Sequence, residues 1–374
     1  MMPLYLDFNA TSPVHDEVLE VMVEAYKNNF GNPASRTHHH GHQAKQLVDN
    51  SRKNIAAVLG VVPNDIIFTS GATESNNLSI LGLEEFGVKQ NKKHIISTVI
   101  EHSSILEPLE HLSKKGFKID LVPVDSSGRV SAEDIINRVT DDTLLVTIMH
   151  ANNETGIIQP VKEIGDALVD RDVFFHIDAA QTFGKLVDEL QEVKYDLLSI
   201  TAHKIYGPQG IGALVFRNKK YKRPPITPLM YGGKQEKGLR PGTLPAPLIA
   251  GFGKAAELIL SNYLNWAKAE LIIRQSIIEQ LKEVEYTING DISLCLPNCI
   301  NISFPGVDSE ALMLCVRQKL SLSNGSACTS SEYKPSHVLS SMGALAENSV
   351  RISWGPYLEN VDLSEMILFI KKII

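Results

Sequence analysis

The chain has 374 residues, 43% of them hydrophobic, and 36 Lys+Arg against 43 Asp+Glu give it a formal charge of −7. That length buries a large core and points to two domains, or to one large α/β domain with an appendage. The mildly acidic, mixed charge gives no electrostatic basis for direct nucleic-acid binding.

The opening "MMPLYLDFNATSP" has neither a basic n-region nor an apolar h-region, and no apolar run is long enough to span a bilayer. Four cysteines in a chain this size make no disulfide framework. Cys295 and Cys299 are spaced C-x-x-x-C, which is neither the usual zinc spacing nor a C-x-x-C redox pair, and Cys315 in "EALMLCV" reads as helix core. The expected setting is cytoplasmic, with reduced thiols and no membrane.

In chain order, "DIIFTS" (65–70), "KHIISTVI" (93–100), "KIDLVPV" (118–124), "TLLVTIMH" (143–150), "VFFHID" (173–178) and "DLLSITAH" (196–203) read as strands. Several are near-continuous apolar runs, as strands covered on both faces require. Helical patterns such as "ESNNLSILGLEEF" and "VKEIGDALVDR" lie between them. The alternation predicts an α/β fold with a mostly parallel, doubly wound sheet, whose ligands bind beyond the carboxyl ends of the strands. A Gly/Pro/Lys-rich stretch, "MYGGKQEKGLRPGTLPAP" (230–247), breaks the pattern. Helical sequence follows to about Val284, then strands in "NCINISF" and "SVRISWG", then a closing helix in "LSEMILFIKKII". The expected division is a large domain over 15–255 and a smaller α+β domain from 1–14 plus 256–374.

Polar residues gather where the strands stop. "FTSGATESNN" passes from strand to helix through small residues, which lets backbone N–H groups and a helix N-terminus face an anion. A simple N-cap by Ser70 or Thr73 is the equal alternative. "IDAAQ" ends a buried strand with Asp178, a carboxylate that needs a partner: a capped turn, or a cationic heterocycle nitrogen. "TAHKIYGPQGIG" places Thr201, His203 and Lys204 after another strand. A lysine there serves either a salt bridge or a Schiff base with an aldehyde. The glycines run G-x-x-G-x-G, which is no dinucleotide fingerprint. A phosphate cup, a buried acid, a lysine and His102 after a strand are together the parts that hold pyridoxal 5′-phosphate (PLP).

"LSNGSACTSSEYKPS" (322–336) sets Cys328 among hydroxyl residues and a glycine, whereas a structural thiol packs among Val, Ile and Leu. The residues alone leave an ordinary loop thiol and a reactive one both open. "THHHGHQ" (37–43) clusters histidines, but no carboxylate or cysteine stands nearby at ligand spacing, so no metal site is expected.

The segments "YLDFNATSP", "FGNPASRTH", "FTSGATESNN", "MHANNETG", "HIDAAQ", "HKIYGPQGIGAL", "RPGTLP", "GSACTS" and "RISWG", in this order and spacing over nearly the whole length, resemble the cysteine desulfurases of the NifS/IscS type, PLP enzymes of aminotransferase class V. The resemblance implies a fold type I PLP homodimer that takes L-cysteine. Ala72, Thr73, Thr201 and His203 would bind the phosphate, with Thr243 contributed across the dimer interface. Asn153 and Gln181 would hold the ring's phenolic oxygen, Asp178 its nitrogen and His102 its face. Lys204 would carry the covalent link, and Arg351 the substrate carboxylate, with Asn153 beside it. Cys328, on a mobile loop spanning about 322–336, would be the nucleophile that takes the substrate sulfur as a persulfide and releases alanine. A histidine at the His38 position would lie near the substrate pocket.

Thr201 stands where many relatives have serine, which keeps the hydroxyl. The tail by which housekeeping relatives dock an iron–sulfur scaffold is missing after the last helix. The acceptor is therefore open among an iron–sulfur scaffold, a thionucleoside enzyme and a DNA-phosphorothioation complex. The rival readings are a selenocysteine or cysteine sulfinate lyase, which needs no thiol nucleophile, and a non-catalytic sulfur-relay or assembly partner.

Overall fold

The structure is a computed structural model and describes residues 2–217, 223–324 and 335–373. A short strand β1 (Leu4–Tyr5) precedes the main sheet. That sheet is built from β2 (Ile66–Thr69), β3 (His94–Thr98), β4 (Lys118–Val122), β5 (Thr143–Met149), β6 (Phe174–Asp178), β7 (Leu197–Thr201) and β8 (Gly212–Phe216). Its order is β2-β8-β7-β6-β5-β3-β4. The ladder is parallel from β7 through β4, and β8 alone runs antiparallel to both its neighbours. The parallel, doubly wound architecture is thus as the alternation predicts. The sequence reading passes over β8, because "GALVF" follows a glycine-rich turn directly, with no helix between to announce a new strand.

All residues of β2, β3, β5, β7 and β8 are buried. One face packs on a core that includes Phe68, Phe175, Phe183 and Phe252, the other on a core that includes Ile67, Leu145, Leu197 and Phe216. Each such side chain contributes about 1.5–3 kcal/mol of burial. Helical sequence at 74–86 is not one helix. It divides into Ala72–Leu81 and Glu84–Gln90: at the junction the Gly82 carbonyl accepts from the Thr227 amide at 2.9 Å and its hydroxyl at 3.0 Å, and the close approach leaves no room for a side chain, whose Cβ would stand 2.6 Å from Ile226 Cγ2.

A 36-residue helix, Ala246–Leu281, joins the two parts of the molecule. Its first half supplies Ile249, Phe252, Ala256 and Ile259 to the core of the main sheet. Its second half supplies Ile273, Ile277 and Leu281 to a separate core around Trp354, Phe304 and Leu6. Gly253 lets it lie against the helix His39–Leu59, since a Cβ there would meet that of Ser51 at 2.4 Å. The second core is covered by β9 (Thr287–Ile288), β10 (Cys299–Ser303) and β12 (Ser349–Ser353), which form an antiparallel sheet. A short β11 (Leu320–Ser321) pairs in parallel with β1 and so ties the N-terminal segment to this second part. Cys315 is exposed rather than core, because the helix Ser309–Val316 buries the stripe of Ser309, Leu312 and Val316 and leaves Cys315 beside it.

The segment after β8 is clamped over β2 by one buried ion pair. Glu236 accepts from Arg52 Nη2 at 2.6 Å, from Arg52 Nη1 at 2.9 Å and from the Phe68 amide at 2.7 Å, and Arg52 stacks on the Phe68 ring. The backbone accepts left-handed angles at Glu236 and Lys237, φ 44° and 60°, to make this contact. Replacing Glu236 by alanine leaves the Arg52 charge and the Phe68 N–H without this acceptor. Urea unfolding is expected to show a loss of about 3–5 kcal/mol for Glu236→Ala.

Candidate active site

The carboxyl ends of β2, β3, β5, β6 and β7 open on one cavity of about 640 Å³. It is lined by Ala72, Thr73, His102, Asn153, Asp178, Gln181, Thr201, His203, Lys204 and Arg351, together with Asn9, Ala10 and Thr11 from the N-terminal segment. Thr243 is exposed and is not among the lining residues of the single chain. Cys328 lies outside the described residues.

β2 ends at Thr69, and the helix Ala72–Leu81 begins three residues later with Gly71 as its N-cap and no side-chain cap. The simple capping role for Ser70 or Thr73 is therefore not what the chain adopts: Gly71, Ala72 and Thr73 at the helix start line the cavity, where a helix N-terminus favours an anion. Glycines make the close approach possible, since a Cβ on Gly212 would meet the Gly71 Cα at 2.7 Å. Glu74 turns away from the cup to accept from the Ser70 amide at 2.6 Å and to pair with Arg240 at 3.0 Å. Burial works against that charge, but the hydrogen bonds from Arg240 and Ser70 hold its carboxyl below the ordinary value.

Asp178, at the last position of β6, is 6% exposed. Its Oδ2 accepts from Asn76 Nδ2 at 2.8 Å and its Oδ1 from the Ala180 amide at 2.9 Å. On the neighbouring strand end Lys204 Nζ donates to the carbonyls of Asn9 and Ala10, the latter at 2.6 Å. His203 pairs with Thr11 Oγ1 at 3.2 Å, and burial, helped by the Lys204 charge, pushes its pKa down to about 4, so it is neutral.

His102 N-caps the helix Ser103–Ser113 by accepting from the Ser104 amide at Nδ1. With Nδ1 an acceptor, the neutral ring carries its proton on Nε2. Burial pushes the His102 pKa down against the pull of Asp178, with Lys204 and His337 adding to the depression. Gln181 Nε2 donates to the Asn9 carbonyl at 2.9 Å, while its Oε1 is buried with no hydrogen-bond partner among the described residues. Arg351, on β12, binds the Asp7 carboxylate through Nη2 and the Asn153 carbonyl through Nη1 at 2.8 Å, and its Nε is likewise unpartnered.

These groups suit PLP: amides and a helix end for a phosphate, a buried carboxylate for a ring nitrogen, an amine for an aldehyde, and a buried amide oxygen waiting for a donor. His38 is placed elsewhere than expected. It is exposed, caps the helix His39–Leu59 by accepting from the Gly41 amide at 3.1 Å, and does not line the cavity. The sequence reading gives no role to Asn9, although "FNATSP" is among its marked segments. Nor does it find Glu101 and Glu154, two buried acids that hold the chain near residue 336: Ser336 donates to Glu154 at 2.5 Å and His337 to the Glu101 carbonyl at 3.1 Å.

The chain belongs to the aminotransferase class-V family, whose model matches residues 4–366. That family is in general PLP-dependent. Among its relatives, the cysteine desulfurase IscS of Rickettsia felis is 44% identical over 366 residues, which cover 95% of this chain and 87% of that protein. A solved structure described as a NifS-like protein superposes with a TM-score of 0.89 at 37% identity, covering 100% of this chain and 98% of the other. A structure of SspA in complex with cysteine gives a TM-score of 0.81 at 36% identity, over 94% of this chain and 99% of that one.

Glu101, fully buried beside His102, has its pKa raised to about 8 by burial, against the hydrogen bonds from Thr98 and the Met149 amide and with the Asp178 charge adding. Its proton is held in the folded protein and released in the unfolded one between the ordinary carboxyl range and pH 8. The stability it contributes is present at low pH and is lost as pH rises through that window. Glu101→Gln is expected to flatten the decline in unfolding free energy between about pH 5 and pH 8, as read by urea titration at each pH.

Proposed function

We propose that the protein is a PLP-dependent cysteine desulfurase that moves the sulfur of L-cysteine to Cys328 as a persulfide and releases L-alanine for delivery of sulfur to a protein acceptor. The observation that carries this reading is the convergence of Lys204, Asp178 and an uncapped helix N-terminus on one cavity. The amides of Ala72 and Thr73, the Thr201 hydroxyl and His203 would take the phosphate, joined by Thr243 from a second copy. Asp178 would hold the ring nitrogen, Gln181 and Asn153 the side of the phenolic oxygen, and His102 the ring face. Lys204 would anchor the aldehyde carbon and, once displaced, carry the substrate's Cα proton. When bound, the cofactor supplies the electron sink that this chemistry needs. Arg351 would exchange part of its contact with Asp7 for the substrate carboxylate, a bidentate task suited to a guanidinium. The Cys328 sulfur bonds to the substrate sulfur as the substrate C–S bond breaks, and the carbon gains the proton that makes alanine.

The same reading includes a homodimer. Exposed Leu229, Met230 and Tyr231 in the segment leading to Thr243 support an interface there. It also keeps a division into two parts, 15–255 and 1–14 plus 256–374; two separate cores support the two parts, with Ala256 and Ile259 still packed in the first. A cytoplasmic setting, where thiols stay reduced, belongs to the same reading.

Alanine release from L-cysteine with a reductant separates this reading from its rivals. The wild type should turn over, and Cys328→Ala should lose on the order of a hundredfold or more, since the general gain from a positioned nucleophile is of that size or larger. Equal turnover would move the protein to the lyase reading. Lys204→Ala is expected to retain little PLP through gel filtration, as measured by cofactor absorbance against protein. Retention equal to the wild type would remove Lys204 from its assigned role.

A further inference from the structure

The C-x-x-x-C pair has no part in the proposed reaction, yet the fold brings its sulfurs together. Cys295 follows the short turn Ile292–Leu294, and Cys299 opens β10. Both are reduced and buried. The Cys295 thiol donates to the carbonyls of Thr155 at 3.2 Å and of Cys299 at 3.3 Å, and Cys299 Sγ lies 4.0 Å from the Glu154 carbonyl. Both sulfurs crowd over Gly156. A Cβ at that residue would stand 2.6 Å from Cys295 Sγ and 3.4 Å from Cys299 Sγ, and its φ of +77° also requires glycine. The Cys299 thiol is drawn below the ordinary thiol value, first by the hydrogen bond from Cys295 and then by Arg351, Lys185 and Arg274, with burial opposing.

The segment these sulfurs touch is part of the active site. Asn153 presents its carbonyl to Arg351 Nη1 and, at 3.3 Å, to Asn9 Nδ2, and the Glu154 carbonyl accepts from Asn301 Nδ2 at 3.1 Å. Asn301 sits directly opposite Arg351 in the β10–β12 ladder.

We propose that Cys295 and Cys299 are a redox-active dithiol whose closure to a disulfide weakens the grip of Asn153 and Arg351 on the substrate carboxylate. With a hydroperoxide as oxidant, one thiol takes the terminal oxygen as a sulfenic acid and releases the alcohol, or water from hydrogen peroxide. The second thiol then attacks that sulfur and expels water, so two thiols give up two electrons and two protons. Closure removes the thiol donor from the Thr155 carbonyl, next to the residues that hold Arg351. A buried acceptor left unpaired destabilises its own segment. The site of oxidation stands on the sulfur geometry alone, and its effect on substrate rests on the desulfurase reading.

The test uses the full-length holoenzyme in a Cys328→Ala background, so that oxidation of that thiol plays no part. After hydrogen peroxide and then alkylation, trypsin releases 283–317, which contains Cys295, Cys299 and Cys315. One label, on Cys315, and a mass 2 Da below that of the peptide with two free thiols are expected, with three labels after dithiothreitol. Three labels without reductant, or sulfinic acid with no linkage, would overturn the dithiol. In the same background, L-cysteine binding followed by the cofactor spectrum should weaken about tenfold on oxidation and recover with dithiothreitol. Cys299→Ser and Cys295→Ala should each be indifferent to peroxide in both readouts. A linked pair with unchanged binding would refute the coupling, whereas failure of both peroxide-treated and untreated protein to bind L-cysteine would count against the desulfurase reading and leave the peptide result to judge the dithiol.

Discussion

Asn9 is the residue on which the site depends. It is 1% exposed, and every polar group it carries is matched by a different part of the chain. Its amide donates to Ser353 Oγ on β12, its Nδ2 to the Asn153 carbonyl, and its Oδ1 accepts from Asn298, while its carbonyl receives Gln181 and Lys204. A buried amide of this kind is costly unless all its bonds are made together, so both cores must be assembled before it is satisfied. The N-terminal segment thereby becomes the floor beneath the lysine.

Around that floor the electrostatics divide by strand. The end of β2 offers the positive pole of a helix with no side-chain cap, while the ends of β3 and β6 offer Glu101 and Asp178. Burial raises the Glu101 pKa to about 8, and Asp178 accepts hydrogen bonds from Asn76 and the Ala180 amide. Histidines at both sides, His102 and His203, are driven toward the neutral form by burial. An anion in the cavity would therefore meet dipoles and hydroxyls rather than imidazolium, and the cationic side chains among its described lining are Lys204 and Arg351.

The second part of the molecule acts on the cavity through few contacts. Arg351 reaches across to Asp7 and Asn153, and Ser336 and His337 are pinned to Glu154 and Glu101. The Cys295–Cys299 pair sits under the same Asn153–Thr155 segment. Arg351, the chain flanking Cys328 and two buried thiols thus all contact one short stretch of backbone, Asn153–Thr155.

The mostly parallel sheet and the clustering of polar residues at its strand ends were legible in the sequence. Apolar runs bounded by Ser70, His102, Asp178 and Lys204 are local patterns, and the right-handed doubly wound connection then forces them to one edge. Other features are not local. The antiparallel β8, the ion pair of Arg351 with Asp7, the role of Asn9 and the meeting of Cys295 with Cys299 over Gly156 all join segments distant in sequence, or depend on a turn whose shape its neighbours set. Spacing alone placed Cys315 in a core, and that reading changes once the helix is packed. The sequence by itself determined which residues end the strands, because periodicity and breakers act within a few residues. Which of those residues touch was decided only by tertiary structure, because buried polar groups find their partners wherever the packed chain brings them.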